Sequence, residues 1–272
     1  MKAVAYAIER AASVEAAVLR LAGTDGACKP VAGGQSLGAM LNLRLAQPER
    51  LVDLDALEAL TGVRESATEV VFGAMTTHAA IEDGRVPDPS GGLMRSVARG
   101  IAYRAVRNRG TLGGSLCHAD PAADWVSTMP LLGAVMLLAG TQGSRELPAA
   151  GFMVSAFETA LADGELLVGV RVPRRSAAAR WSYRKFCRKT GEFAQALVGA
   201  LHDPADGTER LVIGALDGAP RILERAGLLR GLADPANRAA LLADADLGLD
   251  ATRGALTAEM LRLVADDLGD LG

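Results

Sequence analysis

Residues Asn108–Trp125 have the sequence NRGTLGGSLCHADPAADW. The glycine pair Gly113-Gly114 removes two side chains in a row, so that the backbone there can approach a bulky group closely. A hydroxyl lies on each side of the pair, at Thr111 and at Ser115. Paired glycines next to hydroxyls are typical of a loop that binds phosphate through its backbone N–H groups.

Charged residues flank this glycine pair. Arg107 and Arg109 precede it, and Asp120 and Asp124 follow it. The positive charges favour a phosphate ligand, although the order of residues is neither that of a P-loop nor that of a dinucleotide-binding Gly-x-Gly-x-x-Gly turn. After Asp120 the sequence becomes apolar and alanine-rich, which predicts a helix from Asp124 to Gly133.

A second segment of the same kind lies near the N-terminus. Ala32–Ser36, here called the first glycine segment, places a glycine pair before a hydroxyl, as Thr111–Ser115, the second glycine segment, also does. Two such segments in neighbouring units could face each other across a cleft and hold one pyrophosphate. The alternative is that each glycine pair forms only a turn.

The composition narrows the class of protein. Half of the 272 residues are hydrophobic and 22% are charged, which predicts a packed core and a soluble protein. The net charge of −3 argues against nucleic acid as a partner, because phosphate neutralisation needs a basic surface. Three cysteines without a Cys-x-x-Cys pair indicate neither a disulfide framework nor a cluster or zinc site. No signal peptide or membrane-spanning run is visible, so we predict a cytoplasmic protein.

The order of apolar patterns predicts an α+β fold in three parts. Residues 1–56 combine short strands with two helices, the first of them capped by Ser13. Residues 57–176 hold paired strands, a helix capped by Thr76 or Thr77, and the stretch quoted above.

A run of small and charged residues, Arg174–Arg180, marks the boundary of the C-terminal part, residues 177–272. We predict a three-stranded sheet there, followed by helices, which is typical of an α+β domain. The predicted strands are Trp181–Arg188, Ala194–His202 and Arg210–Leu216, and the predicted helices lie near Arg221–Leu229, Pro235–Ala243 and Thr257–Leu268.

Four blocks of the sequence resemble the FAD-binding medium subunit of molybdenum hydroxylases, the carbon monoxide dehydrogenase/xanthine dehydrogenase family. The strongest block is Val31–Asp53, which contains the first glycine segment. Gly73–His78, Ile101–Trp125 and Lys185–Ala194 follow in the order of that family. The resemblance covers nearly the whole chain. It implies a two-subdomain FAD-binding region of the vanillyl-alcohol-oxidase type, followed by a C-terminal α+β domain.

The resemblance also implies the positions of the cofactor site. Both glycine segments would cradle the FAD pyrophosphate, and Asp124 would hold the polar part of the flavin. Lys185 would contact the ring system, with Ile101 and Leu167 lining it. Phe193 stands where relatives can have a tyrosine, so it keeps the stacking face but lacks the hydroxyl. The predicted FAD-binding residues are Val31, Ala32, Gly33, Gly34, Gln35, Ser36, Leu37, Thr77, Ile101, Gly110, Thr111, Gly113, Gly114, Ser115, His118, Asp120, Asp124, Leu167, Lys185 and Phe193.

Two histidines have alternative interpretations. His78 either contacts the flavin or caps a helix. His118 lies with Cys117 and Asp120, which could be metal ligands, but the spacing matches no closed zinc pattern. A hydrogen bond from His118 to backbone or cofactor is the favoured interpretation.

The predicted function is that of an oxidoreductase subunit, the FAD-containing electron-transfer subunit of a molybdenum hydroxylase. The resemblance implies a large partner subunit with a molybdenum–pterin cofactor and a small partner with two [2Fe-2S] clusters, assembled as a dimer of heterotrimers. Electrons would pass from the clusters through FAD to an external acceptor. The alternatives are a self-contained FAD-dependent reductase or oxidase of the same fold, and a non-enzymatic nucleotide-binding assembly subunit.

Overall fold

The computed structural model describes residues 2–269 and 271. The first unit contains three strands and two helices: β1 (Ala7–Arg10), α1 (Val14–Leu21), β2 (Cys28–Val31), α2 (Leu37–Leu43) and β3 (Arg50–Asp53). The strands form a parallel sheet in the order β1-β3-β2. Because the strands are parallel, β2 and β3 end at the same edge of the sheet, and the first glycine segment begins at that edge.

Local signals in the sequence explain how α1 forms. The Ser13 side chain accepts a hydrogen bond from the Ala16 N–H group, which confirms the predicted N-cap. Ala17, Val18 and Leu21 are the buried residues of the helix and belong to the core cluster that also includes strand β3. The apolar spacing of these three residues therefore determines which face of α1 packs against the sheet.

The second unit contains an antiparallel sheet and five short helices. The sheet has the order β4-β5-β10-β6-β7, and β8 and β9 form a separate hairpin. The strands are β4 (Val63–Glu65), β5 (Glu69–Gly73), β6 (Val135–Gly140), β7 (Gly143–Pro148), β8 (Met153–Ser155), β9 (Glu158–Thr159) and β10 (Leu166–Pro173). The helices are α3 (His78–Glu82), α4 (Leu93–Arg99), α5 (Arg104–Arg107), α6 (Leu112–His118) and α7 (Asp124–Leu131).

The third unit has a four-stranded antiparallel sheet in chain order, and its strands are β11 (Arg180–Phe186), β12 (Ala196–Asp203), β13 (Thr208–Gly214) and β14 (Arg221–Glu224). Three helices follow, α8 (Leu228–Gly231), α9 (Pro235–Asp244) and α10 (Ala251–Leu268). The α+β class is confirmed, but the prediction of three strands and of a helix over Arg221–Leu229 is wrong. Ile222 and Leu223 pack into different core clusters, which suits an edge strand, whereas a helix would place neighbouring apolar residues on one stripe.

Helix α7 lies between the second and third units. All of its residues, from Asp124 to Leu131, are buried. It contacts β12 and β13, and β12 is itself buried at every position because α10 covers its other face. The predicted helix from Asp124 to Gly133 is confirmed, although it ends at Leu131. The absence of a polar face on α7 follows from its contacts on both sides.

The three larger sheets lie within residues 7–53, 63–173 and 180–224. We keep the division into residues 1–56, 57–176 and 177–272 as a proposal. In the part of the chain that the structure describes, no helix combines the length and the apolar character needed to cross a membrane.

Candidate functional site

The two glycine segments contact each other. A side-chain carbon built on Gly33 would lie 1.9 Å from the carbonyl oxygen of Arg109 and 3.1 Å from the Cα atom of Gly110. A side-chain carbon built on Gly114 would lie 3.6 Å from the Cβ atom of Ala32. Glycine at position 33 is therefore required for the first segment to rest on the backbone that leads into the second.

The first glycine segment has a row of unused backbone donors. None of the N–H groups from Ala32 to Leu37 donates a hydrogen bond to any of residues 2–269 or 271. Gly34 has a φ of +70°, which turns the chain within the row. The Gln35 side-chain amide donates to the Gly33 carbonyl at 2.9 Å and so closes the turn. Successive N–H groups without protein acceptors form a concavity that suits an anion such as pyrophosphate.

The second glycine segment begins helix α6, and this corrects the expectation of two equivalent loops. The Thr111 hydroxyl accepts a hydrogen bond from the Gly114 N–H group at 3.0 Å. The Gly113 N–H group donates to the Ala74 carbonyl at 2.8 Å, and the Ser115 N–H group donates to the Thr111 carbonyl at 3.0 Å. These backbone donors are used by the fold. The second segment can therefore offer a phosphate its hydroxyls and a close backbone approach, but not a free row of N–H groups.

The turn before α3 holds the second segment in place. Thr77 caps α3 by accepting a hydrogen bond from the Ala80 N–H group at 3.2 Å. Of the two predicted candidates, Thr76 and Thr77, Thr77 is therefore the N-cap. Thr77 also pairs with Thr111 in an isolated antiparallel bridge. Beside this bridge, the His78 N–H group donates to the Gly110 carbonyl at 2.9 Å. The predicted site residues Thr77 and Gly110 are thus brought together with the glycine segments.

A cavity of about 290 Å³ with both polar and apolar walls opens beside the second segment. Its walls include Thr77, Arg109 and Thr111. The hydroxyl of Thr76, another wall residue, is buried and has no hydrogen-bond partner within residues 2–269 and 271. A buried hydroxyl without a protein partner is unfavourable unless a ligand or water satisfies it. Asp55 also lines the cavity, so its walls carry both a positive and a negative side chain.

Arg107 holds the chain beside the site and does not face a phosphate. Its Nε atom lies 2.7 Å from a carboxylate oxygen of Glu82, and it donates to the carbonyls of Ile101 and Ala102 at 2.8 Å each. The hydrogen bond from Arg107 lowers the pKa of the Glu82 carboxyl below its usual value. Arg109 forms no ion pair with the residues that the structure describes, so of the two arginines that precede the glycine pair it is the one available to an anion.

A buried ion pair connects α7 to β11. The Lys185 ammonium lies 2.9 Å from a carboxylate oxygen of Asp124, and the two side chains are 14% and 7% exposed. The Tyr183 hydroxyl donates to the other carboxylate oxygen at 3.0 Å, and Lys185 also donates to the Gly100 carbonyl at 3.0 Å. Burial, reinforced by Asp124, raises the pKa of Tyr183 well above its usual value, so its phenol stays a donor. Any cofactor atom at Asp124 must therefore share the carboxylate with Lys185 and Tyr183.

Tyr183 is the residue of this group that the sequence analysis missed. On a strand, alternate side chains point to the same face, and Tyr183 lies two residues before Lys185. The intervening Ser182 and the next residue, Arg184, point the other way and bond to Asp267 of α10. This alternation in the predicted strand Trp181–Arg188 was the signal that could have placed Tyr183 beside Lys185.

The remaining predicted residues differ in how far their side chains are buried. Leu167 is only 4% exposed in β10 and contributes mainly to the core, whereas the Phe193 side chain is 58% exposed. Ile101 is partly buried against the main core, and Val31 and Leu37 pack in a small cluster of the first unit. Phe193 is therefore free to stack on a ring, and Leu167 can offer no more than an edge of its side chain.

A wide cleft of about 850 Å³ opens at the C-terminal end of α6. The His118 ring lies 5.3 Å from the Phe157 ring, and Asp120 accepts a hydrogen bond from the Ala122 N–H group at 2.9 Å. The cleft joins this end of α6 to the loop that follows Phe193 and to the start of α10. Its walls include Asp120, Pro121, Ala122, Ala194, Gln195, Asp217 and Arg253.

His78 is a buried histidine behind the second glycine segment, and its protonation should govern acid stability. Burial, with a smaller contribution from the nearby Arg107, lowers the pKa of His78 from its usual 6.5 to about 4. Arg107 is itself paired with Glu82. The unfolded chain takes up a proton near pH 6.5, while the folded chain resists it until about pH 4. Between these values the free energy of unfolding should fall as the pH falls, by about 3 kcal/mol in total.

Urea unfolding at pH 7.0 and at pH 4.5 would measure this effect. In His78→Asn the part of the pH dependence that belongs to His78 should vanish, so the variant should lose less stability on acidification than the wild type. His118→Asn serves as the matched control, because its ring lies at the partly exposed end of α6. An equal loss of stability in wild type and His78→Asn would contradict the prediction.

The chain is similar in sequence to known proteins over most of its length. Residues 4–175 match the family model described as FAD binding domain in molybdopterin dehydrogenase. The carbon monoxide dehydrogenase medium chain of Hydrogenophaga pseudoflava is 36% identical over 216 residues, which cover 79% of this chain and 75% of the relative. The nicotine 6-hydroxylase medium subunit of Paenarthrobacter nicotinovorans is 35% identical over 225 residues, which cover 83% and 78% of the two chains.

Solved structures show the same similarity over the whole fold. A chain of carbon monoxide dehydrogenase from Hydrogenophaga pseudoflava, in a form that lacks the Mo-pyranopterin moiety, superposes with a TM-score of 0.88 at 30% identity, covering 98% of both chains. A chain of quinoline 2-oxidoreductase from Pseudomonas putida 86 gives a TM-score of 0.82 at 29% identity, covering 97% of both chains.

Proposed function

Because this chain belongs to the family of FAD-binding domains of molybdopterin dehydrogenases, we propose that it is the electron-transfer subunit of a molybdenum hydroxylase. Bound FAD would supply the redox chemistry between the [2Fe-2S] clusters of a partner subunit and an external acceptor. The chain itself binds the cofactor, orients it and shields one side of it from water.

The observation that carries this proposal is the row of unused N–H groups from Ala32 to Leu37, set against the second glycine segment. A pyrophosphate placed on this row satisfies several backbone donors at once. The Thr111 hydroxyl lies beside Gly114, which itself approaches Ala32, and the Arg109 backbone approaches Gly33. The glycines keep side chains out of the way. This arrangement fits the dianionic centre of FAD better than a neutral ligand.

The polar residues farther along α6 and α7 orient the flavin end of the cofactor. The Asp124–Lys185 pair holds a positive ammonium group at a fixed place between α7 and β11. Phe193 presents an exposed aromatic face on the loop after β11. We place the isoalloxazine ring near these groups, with His118 and Asp120 bordering the same region. Helix α6, whose seven residues extend about 10 Å, lies between the second glycine segment and this region.

Partner chains supply the other redox centres in this proposal. Relatives carry the names medium chain and medium subunit, which imply larger and smaller companions. We assign the molybdenum–pterin cofactor to a large partner and two [2Fe-2S] clusters to a small one, in a dimer of heterotrimers in the cytoplasm. The relatives are named for carbon monoxide, nicotine and quinoline at similar identities to this chain. We therefore assign the choice of substrate to another subunit.

Titration of FAD into the purified full-length chain tests the proposal. We expect saturable binding at micromolar FAD, observed as a change in flavin fluorescence, and a flavin spectrum in the complex purified with its partners. Absence of flavin from both the chain and the complex would contradict the proposal and favour a non-enzymatic assembly subunit. Rapid flavin reduction by NADH in the chain alone, without partners, would instead favour a self-contained reductase.

A further inference from the structure

His78 joins three separate segments of the second unit. Its residue surface is only 4% exposed. Its backbone N–H group donates to the Gly110 carbonyl at 2.9 Å, next to the second glycine segment. Its ring nitrogen Nδ1 accepts a hydrogen bond from the indole N–H group of Trp125 at 3.1 Å. Trp125 is fully buried in α7 and directly follows Asp124.

The His78 ring also sets the position of the chain that enters α6. A side-chain carbon built on Gly110 would lie 2.9 Å from both Cδ2 and Nε2 of His78. The glycine backbone therefore packs directly against the ring. On the other side, the Leu112 N–H group donates to the Thr76 carbonyl at 2.8 Å. The ring and this hydrogen bond together hold the start of the second glycine segment between α3 and α7.

The chemistry of the contact defines the state of the ring. An indole N–H group can only donate, so Nδ1 of His78 must be unprotonated and the proton must lie on Nε2. Burial lowers the pKa of His78, which agrees with a neutral ring. If His78 lost its acceptor, the Trp125 N–H group would remain buried without a partner, which is costly.

We infer that His78 is a positioning residue for the cofactor cradle: as a neutral acceptor for Trp125, it ties the second glycine segment to the helix that carries Asp124. The inference rests on the proposed function for its effect on FAD, but its effect on the segment itself does not depend on the cofactor. His78 touches no predicted cofactor atom in this assignment. It acts through Gly110 and Trp125.

Amide hydrogen exchange in the cofactor-free chain tests the positioning role directly. The N–H groups of Leu112 and Gly113 donate to the turn before α3, and those of Gly114 and Ser115 donate to Thr111. In His78→Leu, which removes the acceptor but keeps an apolar side chain, exchange of these four amides should accelerate about tenfold or more. Exchange in α9, which packs against α10 in the third unit, should stay as in the wild type. Unchanged exchange of the four amides would overturn the inference.

A double-mutant cycle on FAD affinity gives the second readout. His78→Leu and Trp125→Phe should each weaken FAD binding about tenfold to a hundredfold, and the double variant should be little weaker than either. His78→Asn, which retains an acceptor near the Nδ1 position, should recover part of the affinity. Trp181→Phe is the control, because its indole N–H group bonds to the Gly91 carbonyl elsewhere. Strictly additive losses would overturn the inference.

These readouts separate the two proposals. A wild-type chain that binds no FAD, but whose second segment loosens in His78→Leu, contradicts the proposed function and supports the positioning role. A wild-type chain that binds FAD equally well with and without His78 supports the function and contradicts the positioning role. If His78→Leu fails to fold, the Trp125→Phe and His78→Asn variants carry the same comparison.

Discussion

Replacing Gly33 with alanine should abolish stable FAD binding, weakening the affinity at least a hundredfold. The added carbon would lie 1.9 Å from the carbonyl oxygen and 2.6 Å from the carbonyl carbon of Arg109. Both are backbone atoms, so no side-chain rotation can relieve the overlap, and the two glycine segments must move apart. The row of N–H groups would then no longer face the second segment. Flavin fluorescence titration of the folded variant measures the loss.

Two other glycines of the same region provide controls. Gly38→Ala lies in α2 with nothing within 4 Å of the added carbon, so it should bind FAD as the wild type does. Gly34→Ala should be intermediate, because the added carbon meets only a Val31 methyl at 3.8 Å but the φ of +70° disfavours alanine. An affinity of Gly33→Ala equal to that of Gly38→Ala would show that the contact between the segments does not govern binding.

Local signals in the sequence were sufficient to predict much of the first unit. Ser13 caps α1 as predicted, because a hydroxyl before an apolar stripe satisfies the free N–H groups of a first turn. The glycine pair at Gly33-Gly34 was predicted to bind phosphate, and its unused N–H groups fit that hypothesis. Both features depend on residues close together in the chain, which is why the sequence alone could indicate them.

Features that depend on distant contacts could not be predicted. The glycine pair of the second segment disfavours a helix by propensity, yet α6 starts there, because Thr111 caps it and its first N–H groups bond to the turn before α3. The charge of Arg107 was expected to favour a phosphate ligand, but Arg107 pairs with Glu82 on another helix. Sequence neighbours do not reveal such partners. The same holds for the edge strand β14, whose pairing with β13 overrides its short local pattern.

Breaking the buried ion pair between Asp124 and Lys185 should have the largest effect on stability. In Asp124→Asn the Lys185 ammonium keeps only the Gly100 carbonyl and faces a neutral amide. In Lys185→Met the carboxylate keeps only the Tyr183 hydroxyl. Leaving one charge buried without its partner costs about 3–5 kcal/mol. We expect urea unfolding to show losses of this size for each single variant, and a smaller loss for the double variant than the two losses combined.

Arg188→Met is the matched control for removal of a charge from the same region. Arg188 lies 4.0 Å from Glu192, with side chains 76% and 38% exposed, so the loss of stability should be no more than about 1 kcal/mol.

The FAD affinity of the two ion-pair variants distinguishes two roles for Asp124. If the carboxylate binds the flavin directly, Asp124→Asn should weaken FAD binding more than Lys185→Met does. If the carboxylate acts by holding the ammonium in place, the two variants should weaken FAD binding alike. A wild-type FAD affinity in both variants would show that the ion pair is not part of the cofactor site.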